Sequence, residues 1–181
     1  MILGIDISTS CTGWCVIGPD GQLVKMGYIS LSKDKSQFRK AKKVRQELSS
    51  INIDHEIEKI CIEENLQAFR PGLSSAKTLL TLARFNGIVS YLAQEEFCIQ
   101  PDFINVNTAR KSLGIKIKRA KNGGKPTKDQ VHEWVSSQVG IEYSWPIKTL
   151  KSGPRKGKQI YDPACFDMAD AYVIARAGMI I

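Results

Sequence analysis

The sequence predicts an α/β fold, one mixed five-stranded sheet with helices on both faces. Three observations carry this. Apolar, β-rich runs at residues 2–8, 13–17 and 22–31 follow one another with little but turn residues between them, as in an antiparallel meander. Beyond residue 33, stretches with helical spacing alternate with short strands, the signature of β-α-β crossovers. The 181 residues, 43% hydrophobic and 24% charged, suit one domain over 1–181 with a core of its own.

Taken in order, the first strand covers residues 2–8 and the second 13–17, and Gly18-Pro19-Asp20-Gly21 is a strong turn into the third, residues 22–31. Residues 33–50 are charged, with Phe38, Ala41, Val44 and Leu48 at helical spacing. Residues 58–63 form a short strand ending in acid. Pro71-Gly72 breaks the chain, and a long apolar helix then covers 73–96. A fifth strand spans 103–106, and Thr108 is placed to cap a short helix ending near Gly114. Residues 115–125 are a basic loop, Pro126 opens a helix over 127–139, and 140–163 read as a second basic loop rich in Gly, Pro and Lys/Arg. The closing helix runs from 164 to 177 and stops at Gly178.

Composition narrows the function. No apolar run approaches the ~18 residues of a membrane span, and the N-terminus lacks the basic region of a signal peptide. The expectation is a protein at work in the cytoplasm, with no membrane partner. Cys11, Cys15, Cys61, Cys98 and Cys165 are irregularly spaced, without the paired C-x-x-C pattern of a zinc site, and read as reduced thiols. The net charge of +8 is uneven. Residues 1–104 balance 12 Lys/Arg against 12 Asp/Glu, whereas 105–160 hold 13 against 3, a polyanion footprint in an otherwise balanced chain. A solvated loop region that only aids solubility is the bland alternative.

Four carboxylates stand where carboxylates are costly. Asp6 interrupts Ile2-Leu3-Gly4-Ile5-Asp6-Ile7, and Glu63 ends Ile60-Cys61-Ile62. An ionised carboxylate in a buried strand costs several kcal/mol unless a partner or cation compensates. Asp167 and Asp170 share one face of the closing helix, within a segment otherwise apolar or small. Attraction to the helix dipole accounts for first-turn acids singly, but not for four acids together. Converging carboxylates are what hard divalent cations bind, and two such ions can drive phosphodiester hydrolysis.

The ordered set resembles the RuvC family of Holliday junction resolvases, within the RNase H-like fold. Gly4-Ile5-Asp6 with Thr12-Gly13 resembles the family's first-strand motif, Ile62-Glu63 its second acid, and Asp167-Met168-Ala169-Asp170-Ala171 its D-x-x-D-A helix. The stretch from Lys77 to Gly87 resembles the helix after the second acid, and Lys128-Asp129-Gln130-Val131 a stretch carrying an active-site lysine. The resemblance implies an endonuclease that resolves four-way DNA junctions by paired symmetric nicks. Asp6, Glu63, Asp167 and Asp170 would hold two Mg²⁺ ions, for which Mn²⁺ substitutes, and Lys128 would stabilise charge on the scissile phosphate. It also implies a homodimer, with the apolar helix as its interface, unless that helix is buried within one subunit. Together with the basic band it implies DNA contacts from Thr12, Leu66, Phe69, Arg70, Lys111, Lys116, Lys118, Arg119, Lys121 and Lys125.

The chain also departs from the family pattern. Ile7-Ser8 stands where Pro-Gly is usual, Leu66 replaces an aromatic wedge, with Phe69 three residues on, and residues 144–163 are longer and more basic. These departures point towards a divergent, bacteriophage-like branch. Three rivals remain: a nuclease of forks and flaps with the same site, a non-catalytic DNA-binding module, and an actin- or sugar-kinase-like phosphotransferase. The last is suggested by Gly4-Ile5-Asp6-Ile7-Ser8-Thr9-Ser10, which resembles a first phosphate loop, but 181 residues cannot hold its two domains. No nucleotide cofactor is therefore expected. His132, beside Val131 and Val135, reads as a packing residue first.

Overall fold

The computed structural model describes residues 1–64 and 75–181. Strands β1 (Ile2–Ile7), β2 (Cys11–Ile17) and β3 (Leu23–Ser30) form the antiparallel meander, and β4 (Lys59–Glu63) and β5 (Asp102–Ile104) add in parallel beside β1. The order across the sheet is β3-β2-β1-β4-β5, which makes β1 its central strand. Helices α1 (Gln37–Asp54) and α2 (Ala76–Phe97) lie on one face. Helices α3 (Val106–Ser112), α4 (Thr127–Val139) and α5 (Ala164–Ala177) lie on the other.

Strand periodicity divides the core. Leu3, Ile5, Ile7, Trp14, Val16, Ile60 and Ile62 point towards α1 and α2, meeting Val44, Leu48, Phe85 and Val89. Cys15, Ile17, Met26, Cys61 and Ile104 point towards α5. With both faces covered, β1 and β4 are apolar almost throughout, so an acid within them stands out in the sequence.

Helix α5 sits unusually close to this sheet. A methyl group added at Gly4 would lie 2.3 Å from the Ala171 carbonyl oxygen, and one at Gly13 would lie 2.1 Å from that of Asp167. Gly4 on β1 faces Ala171 and Ala175, Gly13 on β2 faces the Asp167–Met168 backbone, and both let sheet and helix approach where larger residues would hold them apart. Ten of the helix's residues are consequently buried, which leaves it with little amphipathic character.

Several boundaries differ from the sequence reading, each for a local reason. Helix α1 begins at Gln37, and Phe38 is 80% exposed while Ile51 completes the buried stripe. Helix α2 begins at Ala76 because the Ser75 hydroxyl accepts from the Thr78 amide at 3.1 Å, a cap that no periodicity reveals. Asn105, not Thr108, caps α3, accepting from the Asn107 amide at 3.0 Å, so Val106 starts a helix instead of ending a strand. Ala120–Asn122 form a 3₁₀ turn within the expected basic loop. The second expected loop contains a β-hairpin, β6 (Ile147–Thr149) paired antiparallel with β7 (Gln159–Tyr161), whose three-residue strands are too short for alternation to show.

Gly4→Ala should cost roughly 1–3 kcal/mol of unfolding free energy, the usual range for forcing atoms into a filled core. Gly87→Ala is the control: it is helical and exposed, nothing lies within 4 Å of its added methyl, and it should gain about 0.5–1 kcal/mol. Urea midpoints of the two variants measure both. A Gly4→Ala protein as stable as the parent would mean that α5 is free to move off the sheet.

Candidate active site

The close seat of α5 has a direct consequence at the C-terminal end of β1. Asp6 is opposite Gly13 in the β1–β2 pairing, and Asp167 lies over that glycine. On its other side, Ile5 pairs with Ile62 of β4, so Glu63 emerges beside Asp6. Asp170 is one turn further along α5 and its charge is felt by Asp6, Glu63 and Asp167. Three elements that are remote in sequence thus bring four partly buried carboxylates into mutual electrostatic contact.

Burial first, and then the neighbouring acids Glu63, Asp170 and Asp167, hold Asp6 well above the ordinary carboxylate range. A protonated Asp6 donates to Glu63, since two ionised carboxylates cannot share a hydrogen bond. Burial also raises Glu63, to about 7, with Asp170 pushing the same way and Arg110 opposing. Asp167 and Asp170 are raised chiefly by burial as well, the former moderated by a bond with the Cys11 thiol and the latter by Arg110. Ionising all four acids would place more negative charge in the site than Arg110 and Lys128 offset.

These two cations differ in setting. Arg110 on α3 donates to Asp170 at 3.0 Å, and both side chains are mostly shielded from water. Lys128, in the first turn of α4, is exposed, and its amine lies 4.6 Å from the centre of the Phe166 ring, where its charge is felt by Asp167. Arg110 is absent from the sequence-derived set, in which the adjacent Lys111 took the basic role. The spacing Val106, Ala109, Arg110, Leu113 on one face of α3 is the signal that would have pointed to it.

The acids are flanked by two clefts. One, of about 360 Å³, is lined by Asn107, Arg110, Lys111, Gly114, Lys116 and their neighbours. The other, of about 340 Å³, runs from Asp167 and Cys11 past Tyr28 and Ser30 to Lys148. Of the expected DNA contacts, Lys111 and Lys116 are in the first cleft, and Lys118, Arg119, Lys121 and Lys125 are exposed on the loop beside it. Gln130 secures that loop, accepting from the Lys118 amide at 2.9 Å and donating to the Lys118 and Lys125 carbonyls at 2.9 and 2.6 Å. Lys125 also pairs with Glu133.

Thr12 must be removed from the DNA-facing set. It is 1% exposed, its hydroxyl bonds the Ser8 carbonyl at 3.4 Å, and strand alternation turns it to the face opposite Asp6. Leu66, Phe69 and Arg70 lie outside the described residues. The phosphate-loop resemblance of Ser8-Thr9-Ser10 also loses its basis. The Ser10 and Cys11 amides both donate to the Ser8 hydroxyl, and Lys40 donates to the Thr9 carbonyl, so the turn is closed on itself. His132 is buried among Trp145, Tyr161 and Phe166, and burial lowers its pKa.

An all-oxygen set of crowded carboxylates with raised proton affinity suits a hard divalent cation, whose charge would relieve their repulsion. Among the described residues, however, no three His, Cys, Asp or Glu side chains already converge as a ready-made ligand set. Asp170 is turned to Arg110 and Asp167 to Cys11. A cation would compete with Arg110 for Asp170 and with the Cys11 thiol for Asp167.

No family model matches the chain. Two curated proteins do: the crossover junction endodeoxyribonuclease RuvC of Aliarcobacter butzleri (strain RM4018) is 29% identical over 144 residues, 78% of this chain and 84% of that protein. RuvC of Sulfurovum sp. (strain NBC37-1) is 28% identical over 145 residues, 78% of this chain and 82% of the other. Among solved structures, T. thermophilus RuvC in complex with a Holliday junction substrate superposes with a TM-score of 0.65 at 14% identity, covering 97% of this chain and 90% of that one. The yeast mitochondrial Holliday junction resolvase Ydc2 gives 0.56 at 18% identity, covering 98% and 77%.

The crowding of acids fixes the sign of a pH effect. Glu63 is raised from 4.5 to about 7, so between those values the folded protein holds protons that the unfolded chain releases. Its contribution to stability is therefore full below the lower value and is lost as pH rises through the upper one. With a chelator present, the urea midpoint should fall between about pH 4.5 and pH 7, and Glu63→Gln should flatten the fall. A midpoint that rises across this interval would mean that the four acids are not mutually crowded.

Proposed function

We propose that this RuvC-like chain is a metal-dependent endonuclease that resolves four-way DNA junctions by paired, symmetric nicks. The observation that carries the reading is the gathering of Asp6, Glu63, Asp167 and Asp170 at one end of the central strands, in the order in which the resemblance to the resolvases expects them. The four carboxylates would hold two divalent cations, Mg²⁺ or Mn²⁺, which supply Lewis-acid activation of water and neutralise the leaving oxygen of the phosphodiester.

The rest of the work falls to the chain itself. Lys128, next to Asp167, places a fixed positive charge where the phosphate becomes more negative in the transition state. Arg110 orients Asp170 and keeps that carboxylate from being expelled by its neighbours. The basic loop held by Gln130, with Lys111 and Lys116 in the adjoining cleft, draws in the DNA backbone and sets its register. Phe69, with Arg70, is proposed to stack and hold the strand at the branch point.

A junction of two-fold symmetry requires two such sites, and we propose a homodimer. Phe85, Val89 and Ala93 of α2 are buried within its own subunit, against α1 and β1, so the interface falls on the outer face, where Leu80 is 67% and Tyr91 60% exposed. No helix among the described residues is long and apolar enough to cross a membrane, and we place the protein at work on DNA in the cytoplasm of a bacterial or phage-infected cell.

Labelled four-way junctions, forks, flaps and linear duplex, incubated in Mg²⁺ and in EDTA, test the reading. Metal-dependent paired nicks confined to the four-way junction are expected. Equal cutting of forks and flaps would replace junction resolution with a broader branched-DNA activity, and binding without cutting would refute the nuclease. Asp6→Asn should abolish cutting while keeping junction affinity within about threefold. Lys128→Ala should lower the single-turnover rate about a hundredfold, within the range for loss of an electrostatic stabiliser, with a much smaller loss of affinity. Equal losses in rate and affinity would reduce Lys128 to an anchor.

A further inference from the structure

The hairpin β6–β7 has no part in the activity described so far, yet it carries positive charge alone. Residues 147–161 hold Lys148, Lys151, Arg155, Lys156 and Lys158 and no acid. All but Lys148 are exposed. Their charges are unpaired among the described salt bridges, and none is used to stabilise the fold.

The hairpin is nevertheless firmly built. Thr149 pairs with Gln159, and beyond the strands the Leu150 amide donates to the Lys158 carbonyl at 3.0 Å and the Gly157 amide to the Leu150 carbonyl at 2.8 Å. At its base, the Asp162 amide donates to the Pro146 carbonyl at 2.9 Å, and the Cys165 thiol bonds the same oxygen. Tyr161 and Trp145 close on the buried His132 ring with centroids 4.9 and 4.3 Å away, which ties the ribbon to α4. A chain held this way at its root projects its cations in a fixed direction.

The root of the ribbon lies at the cleft next to the acids. Lys148 at the hairpin's root shares the cleft with Asp167, Tyr28 and Ser30. Tyr28 is opposite Gly13, which is opposite Asp6, so all three occupy one row across the sheet. Polyanion leaving the carboxylates through this cleft passes Lys148 first and then meets the exposed cations of the ribbon.

We propose that the β6–β7 hairpin is a second DNA-binding element, a basic ribbon that grips the phosphate backbone of a duplex arm on the side of the acids away from the loop of residues 115–125. A two-stranded ribbon has the width of a duplex groove, and its unpaired lysines suit phosphates more than base edges. The proposal rests on the nuclease reading of the adjoining site, but it concerns affinity and the path of the arm, not the chemistry.

The full-length protein with Lys151→Ala, Arg155→Ala, Lys156→Ala and Lys158→Ala tests it, alongside the milder Lys156→Glu. Against a four-way junction at about 0.1 M salt, the fourfold variant should bind at least about tenfold more weakly. Its salt dependence should flatten by about 0.9 in slope for each phosphate that is no longer neutralised. The single-turnover rate at saturating protein should fall by much less than the affinity. A photo-crosslinker attached at Arg155→Cys should label one duplex arm and leave the branch point unlabelled. Unchanged affinity and salt slope, or no crosslink to DNA, would overturn the proposal. Failure of the parent protein to cut any branched DNA would overturn the nuclease reading instead, because the binding comparison is read without cleavage.

Discussion

The architecture of the candidate site depends on how closely α5 lies on β1 and β2. Gly4 and Gly13 have no side chain to hold the helix away, and alanines on the helix complete the fit. A helix at ordinary distance from a sheet could not deliver Asp167 and Asp170 to the row occupied by Asp6. The same contact places Asp167 over Gly13, so packing and chemistry share one interface. This is why the closing helix is buried nearly all round while bearing two acids.

Those acids put the fold under electrostatic load. Each of the four has its proton affinity raised, with burial the first cause, and the neighbours add to it for Asp6, Glu63 and Asp167. Arg110 and Lys128 offset only part of this, one by an ion pair with Asp170, the other through Asp167. A polar cluster of this kind is destabilising to maintain, and proteins keep such clusters where function needs them. Among the described residues, no carboxylate is fully buried in the apolar core on the α1–α2 face.

Much of this was legible in the sequence. Asp6 and Glu63 stood out because β1 and β4 are apolar on both faces, so one acid in each run is visible against its neighbours. The mixed five-stranded sheet followed from a meander and two crossovers. What escaped were features made by single side chains or by pairing across distance. Ser75 and Asn105 set helix starts through one hydrogen bond each. Thr12 matched a motif, but strand alternation turns it inward, and matching letters carry no information about the face. Arg110 was hidden beside Lys111, since only the orientation of α3 shows which of two adjacent cations turns towards Asp170. The hairpin could not be read from three-residue strands whose base is anchored by Tyr161 and Trp145 packing on His132.

The clamp made by Gln130 has a thermodynamic side. A loop rich in lysine ordinarily loses much conformational freedom when it settles on a polyanion, and that loss is subtracted from affinity. Here one amide side chain joins Lys118 to Lys125 and to the helix that bears Lys128, with both of its polar atoms engaged. The backbone at Lys118 and Lys125 is thereby fixed before any ligand arrives. Encounter with a polyanion would then sacrifice less backbone entropy in the loop, while its exposed lysine side chains still have rotamer freedom to lose.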